Sequence, residues 1–94
     1  YAELYACTRA DKGYGSLRIA RELRERGVPE ESVAATLAGL ADDWTPKLRE
    51  LHRKRFKSRP PADGAGRMQQ TRVLRQHGFT LDQIKHLFET FETI

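Results

Sequence analysis

The sequence predicts an all-α fold, a tandem repeat of two three-helix units with helix-turn-helix-like character. Three observations predict it. Apolar residues recur at helical spacing in six segments, and none keeps up the alternation of a strand. The segments are punctuated by glycine, proline and capping side chains. The chain also repeats itself at a displacement of 51 residues. That displacement sets Gly27 on Gly78, Leu23 on Leu74, Arg21 on Arg72 and Arg24 on Arg75. It also sets Val28 on Phe79, Val33 on Ile84, Leu37 on Phe88, Leu40 on Phe91 and Tyr5 on Phe56. The matches fall on core-facing or helix-stopping positions, which a duplicated fold must keep. Each unit is too small to bury its apolar face alone. The expected units are 1–41 and 42–94.

The first helix is expected over roughly Tyr1 to Asp11, ending before Gly13-Tyr14-Gly15. Ser16 is the expected N-cap of the second, because a hydroxyl accepts from the free amides of a first turn. That helix sets Leu17, Ile19, Ala20 and Leu23 along one flank, and Gly27 stops it by allowing a left-handed residue. Pro29, Glu30 and Glu31 open the third, where proline costs little and acids suit the positive end of the dipole. Val33, Leu37 and Leu40 line its inner face.

Asp42 or Asp43 is the expected cap of the fourth helix, with Pro46 in its first turn. Trp44, Leu48, Leu51 and Arg55 follow helical spacing, with Phe56 alongside, giving an apolar stripe and a basic back. Residues 58–66 read as a mobile, breaker-rich loop. The fifth helix then runs to about His77, with Met68, Val73 and Leu74 as core candidates, and Gly78 ends it. Thr80 caps the sixth, which turns Leu81, Ile84, Leu87, Phe88 and Phe91 inward.

Composition excludes several classes. Ninety-four residues that are 38% hydrophobic and 32% charged fit a thin helical core. No apolar run approaches the ~20 residues that span a bilayer, and Tyr1-Ala2-Glu3-Leu4-Tyr5 has no signal-peptide pattern. Cys7, the only cysteine, cannot pair internally, which fits a reducing compartment such as a bacterial cytoplasm. As a lone helical cysteine it is expected to be a small buried residue. His52, His77 and His86 share no metal-ligand spacing. No nucleophile–base set or isolated carboxylate pair stands out. The expectation is a binding protein, not an enzyme, with neither metal nor cofactor.

The net charge of +4 is concentrated. Lys47, Arg49, Arg53, Lys54, Arg55, Lys57 and Arg59 face one acid, Glu50, so this stretch carries +6 and the remainder −2. A basic run is ordinarily a solvated helix face. Here like charges three or four apart, as at Arg49–Arg53 and Lys54–Lys57, should repel and cost helix stability. Their retention points to an anionic partner, phosphate or an acidic protein groove. The second helix interleaves Arg18, Arg21, Arg24 and Arg26 with Glu22 and Glu25, so its arginines read as mostly structural. Arg18, Arg21, Arg72 and Arg75 are weaker contact candidates.

Lys12-Gly13-Tyr14-Gly15 lacks the strand, glycine spacing and Lys-Ser/Thr pair of a phosphate loop, and reads as a tight turn. Helices two and three, joined at Gly27, have the layout of a helix-turn-helix. The would-be recognition helix carries Glu30 and Glu31 and no Lys or Arg, so it cannot set arginine on guanine. The competing function is therefore a small helical DNA-binding protein that contacts phosphate through 47–59.

Lys12-Gly13-Tyr14-Gly15-Ser16-Leu17-Arg18-Ile19, followed by Glu22 to Val28, resembles the middle repeat of the RecX family. Arg72-Val73-Leu74-Arg75-Gln76-His77-Gly78-Phe79, with Asp82-Gln83-Ile84, resembles the family's final repeat. Trp44 and the run ending in Arg55-Phe56 sit where that family has them. Ser16 stands where the family usually has proline, and His77, expected to be exposed, where arginine is common. The resemblance implies that Gly13, Gly15, Leu17, Ile19, Leu23, Gly27, Trp44, Phe56, Leu74, Gly78, Phe79 and Ile84 carry the fold. It further implies a bacterial protein, expected to be a monomer, that binds the RecA–DNA filament and restrains filament growth, strand exchange and ATP turnover. Single- or double-stranded DNA is a further expected non-specific partner, and a membrane is not.

Overall fold

The computed structural model describes residues 1–40 and 43–92, which hold six helices and no strand. They are α1 (Ala2–Asp11), α2 (Ser16–Glu25), α3 (Glu30–Leu40), α4 (Thr45–Phe56), α5 (Gly64–Gln76) and α6 (Leu81–Glu92). Helices α1, α2 and α3 pack on one another, and so do α4, α5 and α6. The expected unit boundary at 41–42, with the alternative cap Asp42, lies outside the described residues. The result is elongated, 41 × 21 × 20 Å along its principal axes.

The helix stops repeat at the 51-residue displacement. Gly27 and Gly78 both have positive φ, +82° and +101°. In each half the glycine amide donates to the residue three before it, and the next amide reaches one turn further back: Val28 to Leu23, and Phe79 to Leu74. Leu23 and Leu74 are fully buried, as are Val33 and Ile84. The displacement fails for the first helices. Shifted by 51, α1 would overlap only the last turn of α4 and run past its end, because α5 starts earlier in that register than α2 does and residues 57–63 form a longer connection than residues 12–15. Tyr5 and Phe56 are both half-buried, but the Tyr5 hydroxyl donates to Glu22, where the second half has Val73.

Several expected details differ. Ser16 is not a cap: it is the first residue of α2, and Gly15 holds the cap position without a side-chain bond. Asp43 does accept from the Thr45 amide, while Trp44 occupies the cap position of α4 and Pro46 its first turn. Gly64, Ala65 and Gly66 belong to α5 rather than to the loop. The Asp63 carboxylate accepts from the Gly66 amide at 2.8 Å, which satisfies a first-turn donor and offsets the glycines. Thr80 and Gln83 form a reciprocal capping box, each side chain bonded to the other's amide.

The core is one cluster of apolar side chains from both halves, including Ile19, Leu23, Val33, Leu48, Leu74, Ile84 and Leu87. Trp44 meets Phe79 edge-on at 6.5 Å between ring centroids, which ties α4 to the turn after α5. Five expected core residues lie outside, Val73 among them, half-buried and not part of the cluster. Leu17, Met68 and Leu81 are 56%, 68% and 53% exposed, and Cys7 is an exposed free thiol. Leu17 and Leu81 sit in the first turns of their helices, where helical spacing alone does not fix which flank faces inward.

Candidate functional site

The two halves meet through backbone. The Gly15 amide donates to the His77 carbonyl at 2.6 Å and the Leu17 amide to the Gly78 carbonyl at 2.9 Å. These bonds place the start of α2 on the turn that ends α5. Arg18 adds a bond from Nη1 to the Gln76 carbonyl at 2.9 Å. The approach needs both glycines: a Cβ on Gly15 would lie 2.6 Å from the Gly78 carbonyl, and one on Gly78 would lie 2.4 Å from Arg18 Cβ.

Around this seam the polar groups are paired. His77, expected to be exposed, is half-buried, stacks on Tyr14 at 5.4 Å and donates from Nδ1 to the Val73 carbonyl. The guanidiniums of Arg9 and Arg18 both lie over the Tyr14 ring. Glu22 accepts from Arg9, Arg18 and the Tyr5 hydroxyl. Burial by itself would push the Glu22 carboxyl up, but the hydrogen bonds from Arg9, Tyr5 and Arg18 outweigh it and hold it at about 2. The Arg18–Glu22 pair was legible as an i, i+4 spacing. Arg9 and Tyr14 were not, because their partners lie across the fold.

The remaining arginines of α2, and Arg26 at its C-terminal cap, are engaged too. Arg21 pairs with Glu25, Arg24 grips Glu30 through two bonds of 2.6 and 2.7 Å, and Arg26 lies over the Tyr5 ring. Of the weaker contact candidates, Arg18 is therefore part of the seam and Arg21 is half of an exposed ion pair. Arg72 and Arg75 are exposed, with no ion pair among the described residues.

The basic run lies on α4 and just beyond it. At roughly 100° per residue, Lys47, Arg49, Arg53 and Lys54 share one side of the helix with Glu50. Leu48, Leu51 and His52 are buried on the other. Lys47 is half-buried at a hollow shared with Asp11, Lys12 and Gly13 from the end of α1, and the other basic residues are exposed. Arg55 departs from this side. It shares the arc of Leu48 and Leu51, yet is exposed, lying in the last turn. Lys57 and Ser58 both adopt left-handed backbone, φ 55° and 60°, and turn the chain off the helix before Arg59. The Arg59 carbonyl then accepts from Gln70, whose Oε1 takes a bond from the buried His52 ring at 2.9 Å.

The expected cost of the run is smaller than spacing implies. Glu50 bonds Arg53 at 2.6 Å and lies 3.9 Å from Lys54. The Arg53 bond holds the Glu50 carboxyl below its ordinary range. Arg53, Lys54 and Arg55 also occupy the last turn, where cations meet the negative end of the helix dipole. The cations of the face without an ion pair among the described residues are Lys47 and Arg49, extended by Lys57 and Arg59. Among the described residues no group of three His, Cys, Asp or Glu side chains could hold a metal ion, and no helix is long and apolar enough to cross a membrane.

Residues 1–37, which make α1, α2 and most of α3, match the family model for RecX, second three-helix domain. The chain is 35% identical over 85 residues to the regulatory protein RecX of Halorhodospira halophila, covering 90% of this chain and 53% of that protein. It is 36% identical over 87 residues to the regulatory protein RecX of Pseudomonas fluorescens, covering 93% and 56%. Against that of Ectopseudomonas mendocina it is 37% identical over 87 residues, covering 93% and 58%. The chain thus spans about half the length of the curated relatives it matches. No solved structure matches it.

Proposed function

The chain belongs to the RecX family of regulatory proteins, and on that premise we propose that it binds the RecA–DNA filament and restrains filament extension, strand exchange and ATP hydrolysis. It acts by occupancy and not by catalysis, in the bacterial cytoplasm where such filaments form. In this reading 1–41 and 42–94 are the family's second and third repeats.

The observation that carries the reading is the side of α4 bearing Lys47, Arg49, Arg53 and Lys54, prolonged by Lys57 and Arg59. A filament groove presents acidic protein surface and nearby phosphate, and a cation-rich face on a helix held by Trp44, Leu48 and Leu51 is a rigid complement to it. The α2 arginines contribute less, because they are engaged within the fold.

Co-sedimentation with RecA filaments and with naked single-stranded DNA, run in parallel with ATP turnover, tests the proposal. Pelleting with filaments and slowed turnover are expected, with weak retention on bare DNA. Equal binding to both would favour a DNA-binding protein that contacts phosphate through α4. Single-stranded DNA would then bind through a cation track without base readout, since α3 offers no Lys or Arg.

A further inference from the structure

A second surface lies apart from the basic side of α4. Helices α5 and α6 leave between them an open groove of about 740 Å³. Each wall presents an apolar residue and then a cation one turn on: Met68 then Arg72 on α5, Leu81 then Lys85 on α6. Met68, Arg72 and Arg75 follow at i, i+4 and i+7, so they share one face over about 10 Å of helix. Met68 and Leu81 are exposed hydrophobics that the core does not use, as Tyr1, Leu4 and Leu17 are elsewhere on the surface. Arg72, Arg75 and Lys85 have no ion pair among the described residues, and one acid, Asp82, stands beside them.

We propose that this groove docks an amphipathic helix of a partner protein whose apolar stripe is flanked by carboxylates. Charge and shape select that occupant. An apolar floor edged by unpaired cations complements a helix with apolar residues at i, i+4 and i+7 and Asp or Glu beside them. Methionine is suited to such a floor because its unbranched side chain adapts to what it meets. A nucleic acid is a poorer fit: Phe88, the aromatic ring in the groove, is buried and gives bases nothing to stack on. A second copy of this chain is poorer still, because two-fold pairing would set the cationic patch of Arg72, Arg75 and Lys85 against the same patch of the other copy. The surface also continues past Arg75 and Gln76, which line the adjoining hollow with the exposed Leu17.

The test is an NMR titration of the full chain with a stapled helical peptide bearing leucine at three successive inward positions and glutamate on both flanks. Shift changes are expected at Met68, Arg72, Leu81 and Lys85. The double variant R72E/K85E should bind the peptide roughly tenfold more weakly. It should in turn prefer a peptide whose glutamates are lysines. M68D, at an exposed position, should also lose binding with the helical signal unchanged. No shift changes at millimolar peptide, or changes confined to α4, would overturn the proposal. So would an oligonucleotide that displaces the peptide, or a dimer that M68D dissociates in sedimentation.

Discussion

The Leu17 amide bonds the Gly78 carbonyl, so the first turn of α2 is capped by the turn that ends α5. A helix start normally takes its acceptors from its own side chains or from water. Here the acceptors come from the other half of the molecule, and Ser16 therefore has no capping role. The seam is thus a hydrogen-bonded contact between two turns, closed by Arg18 on Gln76 and by the Tyr14–His77 stack.

Three glycines should respond differently to alanine. Gly27 has positive φ and open space around it, so G27A should cost only the left-handed conformation, about 1 kcal/mol. Gly15 has ordinary backbone angles but no room for a Cβ, so G15A should cost about 1–3 kcal/mol through overpacking. G78A meets both penalties and should be the most damaging. Urea midpoints with unchanged slopes give the order, and a G27A as costly as G78A would remove the steric argument.

Acid should weaken the first half through Glu22. Its folded carboxyl titrates at about 2, against an ordinary 4.5. A depressed carboxyl stabilises the fold above its unfolded value and loses that contribution as pH falls through the folded one. The window is pH 4.5 to 2, and the amount is about 3 kcal/mol. E22Q should flatten the difference in that window while costing stability at neutral pH. Denaturant midpoints for both proteins across the window measure it, and parallel curves would contradict the assignment.

Charge reversal on α4 should separate binding from folding. R49E with K57E should weaken filament binding roughly tenfold at moderate salt. Stability should stay within about 0.5 kcal/mol, since neither residue has an ion pair among the described residues. Adding R53E removes the Glu50 pair and sets a carboxylate three residues from Glu50 and four from each of the reversed positions 49 and 57, costing about 1 kcal/mol more. Binding unchanged by the double variant, in sedimentation at matched salt, would leave α4 a solvated surface.

Lys57 is a left-handed residue without a glycine's freedom. Replacing it with glycine should gain about 0.5–1 kcal/mol, the conformational cost of φ 55° less the entropy that glycine adds to the unfolded chain. K57V should lose stability instead. Thermal melts of the two variants distinguish this from a charge effect, which would move both in the same direction.

What the sequence made legible is local. Gly27 and Gly78 announce their turns because few residues can adopt positive φ, and Thr80 with Gln83 announces a capping box by spacing alone. Leu23, Leu74, Val33 and Ile84 follow from helical periodicity. What it hid is non-local. His77 is covered by Tyr14, and Ser16 is relieved of capping by Gly78; neither partner can be found by counting along the chain. Met68 and Leu81 fit helical spacing but face the open α5–α6 groove. The basic run was visible as composition, whereas its partial neutralisation by Glu50 required the side-chain geometry.

The two inter-helix connections tolerate change unequally. Between α1 and α2 every residue is committed: Lys12 closes α1, Gly13 lies against Leu51, Tyr14 is stacked and Gly15 touches Gly78. One inserted residue there would throw α2 out of step with the turn it rests on. Between α4 and α5, residues 57–63 are fastened chiefly by the Arg59 carbonyl and the Asp63 cap. Loop closure grows only slowly more expensive with length, so added residues at Pro60-Pro61-Ala62 leave both anchors in place. Length variation among related chains should therefore collect at that connection, and an affinity tag or fluorophore belongs there.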